Sequence, residues 1–306
     1  MIKDLQERDD ASGTYFVKEA TKIDRCNDPY MNLILQDGSG VVDAKKWHVS
    51  AQDEVTLQPG NLITITGEML MYKGKKQLRV DSCEISDSKE DLANFLVPSP
   101  VPIDELITRF RSYVKSITTP ELKTILNEVF KRYYTQFIDY PAAVRNHHEF
   151  YHGLIYHTVY MCDLAEQVAK IYNDVNRDLL ISGCLLHDVG KVIELSGPLA
   201  TKYTTEGNLL GHLSIGMSIV REIAHENNIT GDYPLILEHM ILSHHGKLEY
   251  GSCVLPMTRE ALLLSMIDDL DSKMMILDKA YADIGKGEYT DRIFALDNRS
   301  FYKGDY

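Results

Sequence analysis

The chain has 306 residues, 44% of them hydrophobic, and a formal charge of −13. That length suits about two domains with sizeable cores, and the composition is that of an ordered globular protein. The charge excludes a generally basic nucleic-acid binder, so contact with phosphate needs local basic patches or metal ions.

Met1–Asp10 is polar and charged, which argues against a secretory leader. The longest apolar runs, Leu179–Leu186 and Ala261–Ile267, are too short to span a bilayer. Cys26, Cys83, Cys162, Cys184 and Cys253 are scattered with no CxxC pair. They read as reduced thiols of a cytoplasmic protein.

From Thr14 to Ile85 the sequence alternates at period two and is rich in β-branched and aromatic residues. Strands are expected near Tyr15–Arg25, Tyr30–Gln36, Val41–Trp47, Asn61–Met71 and Lys76–Glu84. Asp37-Gly38-Ser39-Gly40 is expected to turn between the second and third, and Val49–Leu57 to form a short helix before the fourth. Five strands with a helix at that point is the order of an OB barrel. Single-strand binders combine stacking rings with cations that follow the backbone. Val41, Asp43, Lys45 and Trp47 share one face of the third strand, and Tyr30, Asn32, Ile34 and Gln36 one face of the second. The following hairpin carries Tyr72, Lys73, Lys75, Lys76 and Arg79. Trp47 and these hairpin residues are the candidate nucleic-acid contacts. The plainer alternative puts Trp47 in the barrel core and leaves the lysines to keep an edge soluble.

Pro98-Ser99-Pro100-Val101-Pro102 reads as an elbow, because alternate prolines forbid helix and ladder alike. Beyond it helices are expected at Ile103–Ile117, Pro120–Phe137, Leu154–Tyr172, Asp178–Val189, Leu209–Asn227, Pro234–His244 and Thr258–Ile284. The polar tail after Ile284 shows no clear pattern. The fold class is therefore α+β in two domains: an OB barrel over 1–97 and an all-helical domain over 144–285. A linker with connecting helices (98–143) joins them, and a tail (286–306) follows.

Chemistry concentrates in the helical half. His157 shares a face with Leu154, Met161 and Leu164. His187-Asp188 closes an apolar run. His212 lies on a stripe with Ile215, Ile219 and Ile223; His244-His245 follows Ile241-Leu242; Asp268 lies with Ala261, Leu264, Asp271 and Met275. A single histidine on such a stripe is usually a hydrogen-bonded core residue. Several imidazoles and carboxylates facing inward together need a cation, and no Lys or Arg lies on those stripes. A divalent metal is the economical answer. Without thiolates, a structural zinc site is disfavoured. Mg²⁺ prefers oxygen shells, so Mn²⁺ fits best, with Fe²⁺ or Co²⁺ next. Asp188 is the natural bridge, because one carboxylate can serve two ions.

The order His157, His187-Asp188, His212, His244-His245, Asp268 resembles the HD superfamily of metal phosphohydrolases. Further stretches resemble the YhaM-type 3′→5′ exoribonucleases, which also place an OB domain first. These are Asn146-His147-His148-Glu149-Phe150, Gly153-Leu154, Gly211-His212-Leu213, Leu242-Ser243-His244-His245-Gly246 and Asp268-Asp269-Leu270-Asp271-Ser272-Lys273. The resemblance implies one ion on His157, His187, Asp188 and Asp268 and a second on Asp188, His212 and His244. His245 would be a further ligand or a substrate contact, and Asp271 would orient a ligand. Lys191 is either a phosphate contact or an ordinary solvated cap. Asp188, Lys191 and His245 are thus expected nearest the reacting phosphate. His239 lies on a different face from His244 and is left out of the set. His152 reads as a loop residue, and His48 and His225 as surface residues.

The activity implied is trimming of single-stranded RNA, or single-stranded DNA, from the 3′ end to nucleoside 5′-monophosphates by metal-activated water. Two rivals stand beside it: an HD nucleotide or cyclic-dinucleotide hydrolase with a regulatory barrel, and a strand-binding adaptor without turnover. Self-association into a homo-oligomer stays open.

Overall fold

The computed structural model describes residues 1–24, 29–87, 92–144 and 149–306. The expected strand end at Arg25, together with Cys26, Asn146, His147 and His148, lies outside the described residues. Two compact units result, one built on Met1–Pro98 and the other on Ser99–Gly197 and Lys202–Tyr306. Among the described residues no helix is long and apolar enough to cross a membrane.

In the first unit, β1 (Gly13–Ile23), β2 (Tyr30–Asp37), β3 (Gly40–Lys46), β4 (Leu62–Tyr72) and β5 (Lys75–Ile85) close into a barrel of order β1-β2-β3-β5-β4. The β3–β5 pair is parallel and the other pairs are antiparallel, with β1 returning to β4. Alternation does what the sequence promises: Leu33, Leu35, Ala44, Ile63, Ile65 and Leu78 fill the inside while their neighbours face out. Irregularities in register at Val17/Glu19 in β1 and Thr66/Gly67 in β4 are bulges of the kind that bend a strand, as closing a barrel requires. The short α1 (Ala51–Thr56) begins at a capping box in which Ser50 and Asp53 satisfy each other's backbone amides, and the buried Leu57 follows it. This is the OB order expected from the sequence.

The second unit is helical: α2 (Ile103–Ser116), α3 (Pro120–Asp139), α4 (Gly153–Ile171), α5 (Arg177–Leu186), α6 (Lys191–Glu194), α7 (Thr205–Glu226), α8 (Asp232–Ser243) and α9 (Arg259–Ala282). One continuous apolar core runs through it, from Leu106 and Phe110 on α2 to Leu264 and Ile267 on α9. Residues 289–302 form an irregular hairpin bridged at Tyr289–Tyr302 and Ile293–Arg299, where the sequence showed no pattern.

Most boundaries lie within two residues of expectation, and the larger departures lie beside the chemistry. α5 stops at Leu186, so His187 and Asp188 lie in the turn leading to α6 and not on the helix itself. The short α6 carries no signal in the sequence pattern. α7 starts four residues early and is broken at Gly211 (φ 70°, ψ 151°), a conformation that only glycine adopts cheaply. Close approach explains the first two. A Cβ at Gly190 would run into the backbone of His212 and Gly216, so glycine there lets the HD turn lie directly on α7.

Candidate metal centre and nucleic-acid face

The centre is assembled from α4, the α5–α6 turn, α7, the end of α8 and α9. His157, His187 and His244 are at most 1% exposed, and Asp188 is 3% exposed. Their ring nitrogens are not interchangeable. Nδ1 of His157 donates to Asp271 (2.6 Å), that of His187 to the Cys184 carbonyl (2.8 Å), and that of His212 to Glu194 (3.0 Å). Nδ1 of His244 donates to the Ile241 carbonyl (2.8 Å) and that of His245 to the Tyr250 carbonyl (2.9 Å). Carbonyl and carboxylate oxygens only accept, so each Nδ1 carries the hydrogen and each Nε2 faces the centre, where a metal can take its lone pair in place of a proton. Five imidazoles thus arrive with their tautomers fixed, which is how protein scaffolds prepare metal-ligating histidines.

Those Nε2 atoms converge. His157 Nε2 lies 3.2 Å from His187 Nε2 and 3.2 Å from Asp268 Oδ1. Asp188 Oδ2 lies 3.2 Å from His187 Nε2, and its Oδ1 lies 3.5 Å from His212 Nε2 and 3.6 Å from His244 Nε2. Donor atoms fall within 4.8 Å of one another in three groups: His157, His187, Asp268; His187, Asp188, His244; and His212, His244, His245. Asp188 Oδ1 and His212 Nε2 are buried without a hydrogen-bond partner, a costly state unless a cation meets them. The donor set fits a divalent ion.

A basic side chain does reach the carboxylates, contrary to what the helix stripes suggest. The Lys191 side chain is only 12% exposed, and its Nζ lies 2.7 Å from Asp188 Oδ2, so it is no solvated cap. Placed at the start of α6, one turn after Asp188, it lies off every stripe that carries a ligand. One ammonium still does not balance Asp188, Asp268, Asp271 and Glu194.

Electrostatics follow the geometry. Burial alone would lower the His157 pKa, but hydrogen bonds to Asp268 and Asp271 raise it to about 10. Burial would raise Asp268, and the His157 contact outweighs it, holding the carboxylate far below its usual range. Asp188 is likewise held low against burial, by Lys191 and His187. Burial lowers His244 to about 4, only partly offset by Asp188, so it is neutral and ligand-ready near pH 7. The carboxylates are anionic and would attract a proton or a metal to the same place.

Glu194 belongs to this centre too, although no sequence motif points to it. Its Oε1 accepts from both the backbone N and the Nδ1 of His212, each at 3.0 Å. The break at Gly211 frees that backbone N–H, so Glu194 caps the second half of α7 and aims its first side chain at once. The signal was present only as an acidic residue six positions after the HD pair. Of the remaining histidines, His239 accepts from Met257 N at 2.9 Å and His152 donates to the Ile138 carbonyl at 2.7 Å, while His48 and His225 are exposed.

On the barrel, Trp47 is 43% exposed and so is not core. Its ring lies 4.7 Å from that of Tyr30, with Lys45 Nζ 4.4 Å from the Tyr30 ring and 4.7 Å from the Trp47 ring. Strand alternation places Tyr30 and Lys45 on their sheet faces without pointing to this cluster. Tyr72, Lys73 and Lys75 are exposed at the β4–β5 turn, with Lys73 5.4 Å from the Tyr72 ring, and Lys76 is half-buried. Arg79 is already engaged by Glu68 (3.0 Å) and Asp81 (2.9 Å).

Residues 154–273 match the HD domain family. With this centre, the second unit is that of a metal-dependent phosphohydrolase of HD type, carrying an OB barrel ahead of it. The 3′-5′ exoribonuclease YhaM of Bacillus licheniformis is 45% identical over 290 residues, which cover 94% of this chain and 92% of that protein. This chain belongs to the YhaM family of 3′-5′ exoribonucleases. The second OB-fold domain of replication protein A from Methanococcus maripaludis aligns with 30% of this chain and 97% of its own, at 15% identity and a TM-score of 0.24. The strand order of the barrel stands without that likeness.

Proposed function

We propose that the protein removes nucleotides one at a time from the 3′ end of single-stranded RNA in the cytoplasm, releasing nucleoside 5′-monophosphates. The full-length relation to YhaM carries this reading, and the five anchored imidazoles around Asp188 support its chemistry. His157, His187 and Asp268 would hold one ion, His212, His244 and His245 a second, with Asp188 between them. Imidazole and carboxylate donors without thiolate favour Mn²⁺, with Fe²⁺ or Co²⁺ next.

When bound, such ions supply Lewis acidity that activates water and draws charge from the phosphate oxygens. The chain's own residues do the rest. Asp271, Glu194 and the Cys184, Ile241 and Tyr250 carbonyls keep the lone pairs aimed. Lys191 holds Asp188 in place and puts a positive charge beside the phosphate. Tyr30, Lys45 and Trp47 give an unpaired base a ring to stack on and its backbone a cation, and the Lys73–Lys75 turn adds charge; both raise the local concentration of the strand.

A 5′-labelled RNA oligomer incubated with Mn²⁺ should yield a descending ladder that EDTA abolishes. Immediate release of the label as a mononucleotide reverses the polarity. Consumption of free nucleotides or cyclic dinucleotides alone means the nucleotidase reading wins.

A further inference from the structure

We infer that Tyr250 is the platform on which the terminal base of the strand stacks while its phosphodiester lies at the metal centre, an inference that rests on the exonuclease reading above. The centre opens into a cavity of about 200 Å³ lined by His157, Asp188, His244, His245 and Asp268, and by Tyr250. Tyr250 supplies the cavity's aromatic wall apart from the histidines. It is half exposed and takes no part in the apolar core, so packing does not explain it.

The backbone that carries the ring is tied down. Its loop follows α8, with Lys247 N donating to the His245 carbonyl (2.9 Å), Tyr250 N to the Lys247 carbonyl (3.1 Å) and Cys253 N back to the Leu242 carbonyl (3.1 Å). The Tyr250 carbonyl accepts from His245 Nδ1, so the residue that fixes this candidate ligand also carries the ring. Lys247 Nζ lies against the ring, 4.8 Å from its centroid, and half of the tyrosine stays exposed where it lines the cavity. An enzyme that takes whatever nucleotide comes last needs a grip that does not read sequence. Every base offers a flat π-face, and stacking on it is sequence-tolerant. A base at a paired end is tied by its Watson–Crick edge to the opposite strand and must be freed before it can enter the cavity, so the same platform selects unpaired ends.

The test compares two 5′-labelled single-stranded RNA oligomers, one ordinary and one whose 3′-terminal residue is abasic. Each is given to the unmodified protein, to Tyr250→Ala and to Tyr250→Phe, with bound metal measured in all three. Tyr250→Ala should lower kcat/KM on the ordinary end on the order of tenfold, chiefly through KM, and Tyr250→Phe should restore most of that loss. On the abasic end the unmodified protein should already be slower by a similar factor, and Tyr250→Ala should add nothing. Bound metal should be the same in all three proteins. Equal slowing of both ends, loss of metal in Tyr250→Ala, or no effect on the ordinary end overturns the inference. If the unmodified protein degrades neither oligomer, the exonuclease reading itself has failed and the platform falls with it.

Discussion

The two polar surfaces of this protein are built on opposite principles. In the helical unit the functional groups are buried, and each imidazole has its second nitrogen fixed by an acceptor. On the barrel, Tyr30, Lys45 and Trp47 lie on an outer face and hold one another by ring contacts. Burial makes each interaction strong and each error expensive; exposure makes each one modest and open to screening by salt. Chemistry needs the first arrangement and strand capture needs the second.

The sharpest way to break this contrast is at its centre. Asp188→Ala should abolish RNA degradation and most metal binding while the helical circular dichroism is retained. Full turnover by that variant would falsify the assignment of the centre. Glu194→Ala tests the residue next to the ligands: removing the acceptor that fixes His212 should lower metal affinity by about 10–100-fold, read by competition with a metal-sensitive dye. If affinity is unchanged, His212 is not held by Glu194 in any way that matters.

On the barrel the expected effects are smaller and of another kind. Trp47→Ala should weaken binding of a single-stranded RNA about tenfold with no change in metal content. Neutralising Lys73 and Lys75 should flatten the dependence of log K on log salt by about 0.7 for each phosphate that these ammonium groups no longer neutralise. Loss of metal in any barrel variant would mean that the two surfaces are not separable.

The smallest effect concerns stability and pH. Asp178 Oδ2 accepts from the backbone N–H groups of Thr118 and Thr119 (2.8 and 2.9 Å) and from both hydroxyls, at the start of α3. Burial would raise its pKa, but these bonds outweigh burial and lower it. A lowered folded pKa means that the stabilisation is complete above the unfolded value of about 3.9 and is lost as pH falls. Asp178→Asn should therefore cost about 2 kcal/mol near neutral pH, and less once the pH falls below the unfolded carboxyl value toward the folded one. Trp47 is the single tryptophan of the chain, so its fluorescence follows the barrel while far-ultraviolet dichroism follows the helices. Only the second should shift.

Much of this could be read from the sequence because it rests on local repetition. Period two marks the five strands, and the inward stripes of α4, α7 and α9 mark His157, His212 and Asp268. What escapes depends on neighbours distant in sequence. Glu194 and the early stop of α5 follow from the tight contact that Gly190 makes with α7. The position of Lys191 on Asp188, and of Arg79 between Glu68 and Asp81, is set by which carboxylate comes within reach. Trp47 continues the outward face of Val41, Asp43 and Lys45, but alternation alone does not say which face of a strand turns inward, so the core and binding readings stand level.

The break at Gly211 makes the orientation of His212 independent of what precedes it. Along an unbroken helix each added or deleted residue turns every later side chain by about 100°, so one insertion between 205 and 210 would swing the imidazole out of the centre. Here the second segment begins afresh, and its angular phase is set by Glu194 gripping its first N–H. Gly211→Ala, by favouring a single continuous helix, should tie the imidazole's direction to the residue count upstream.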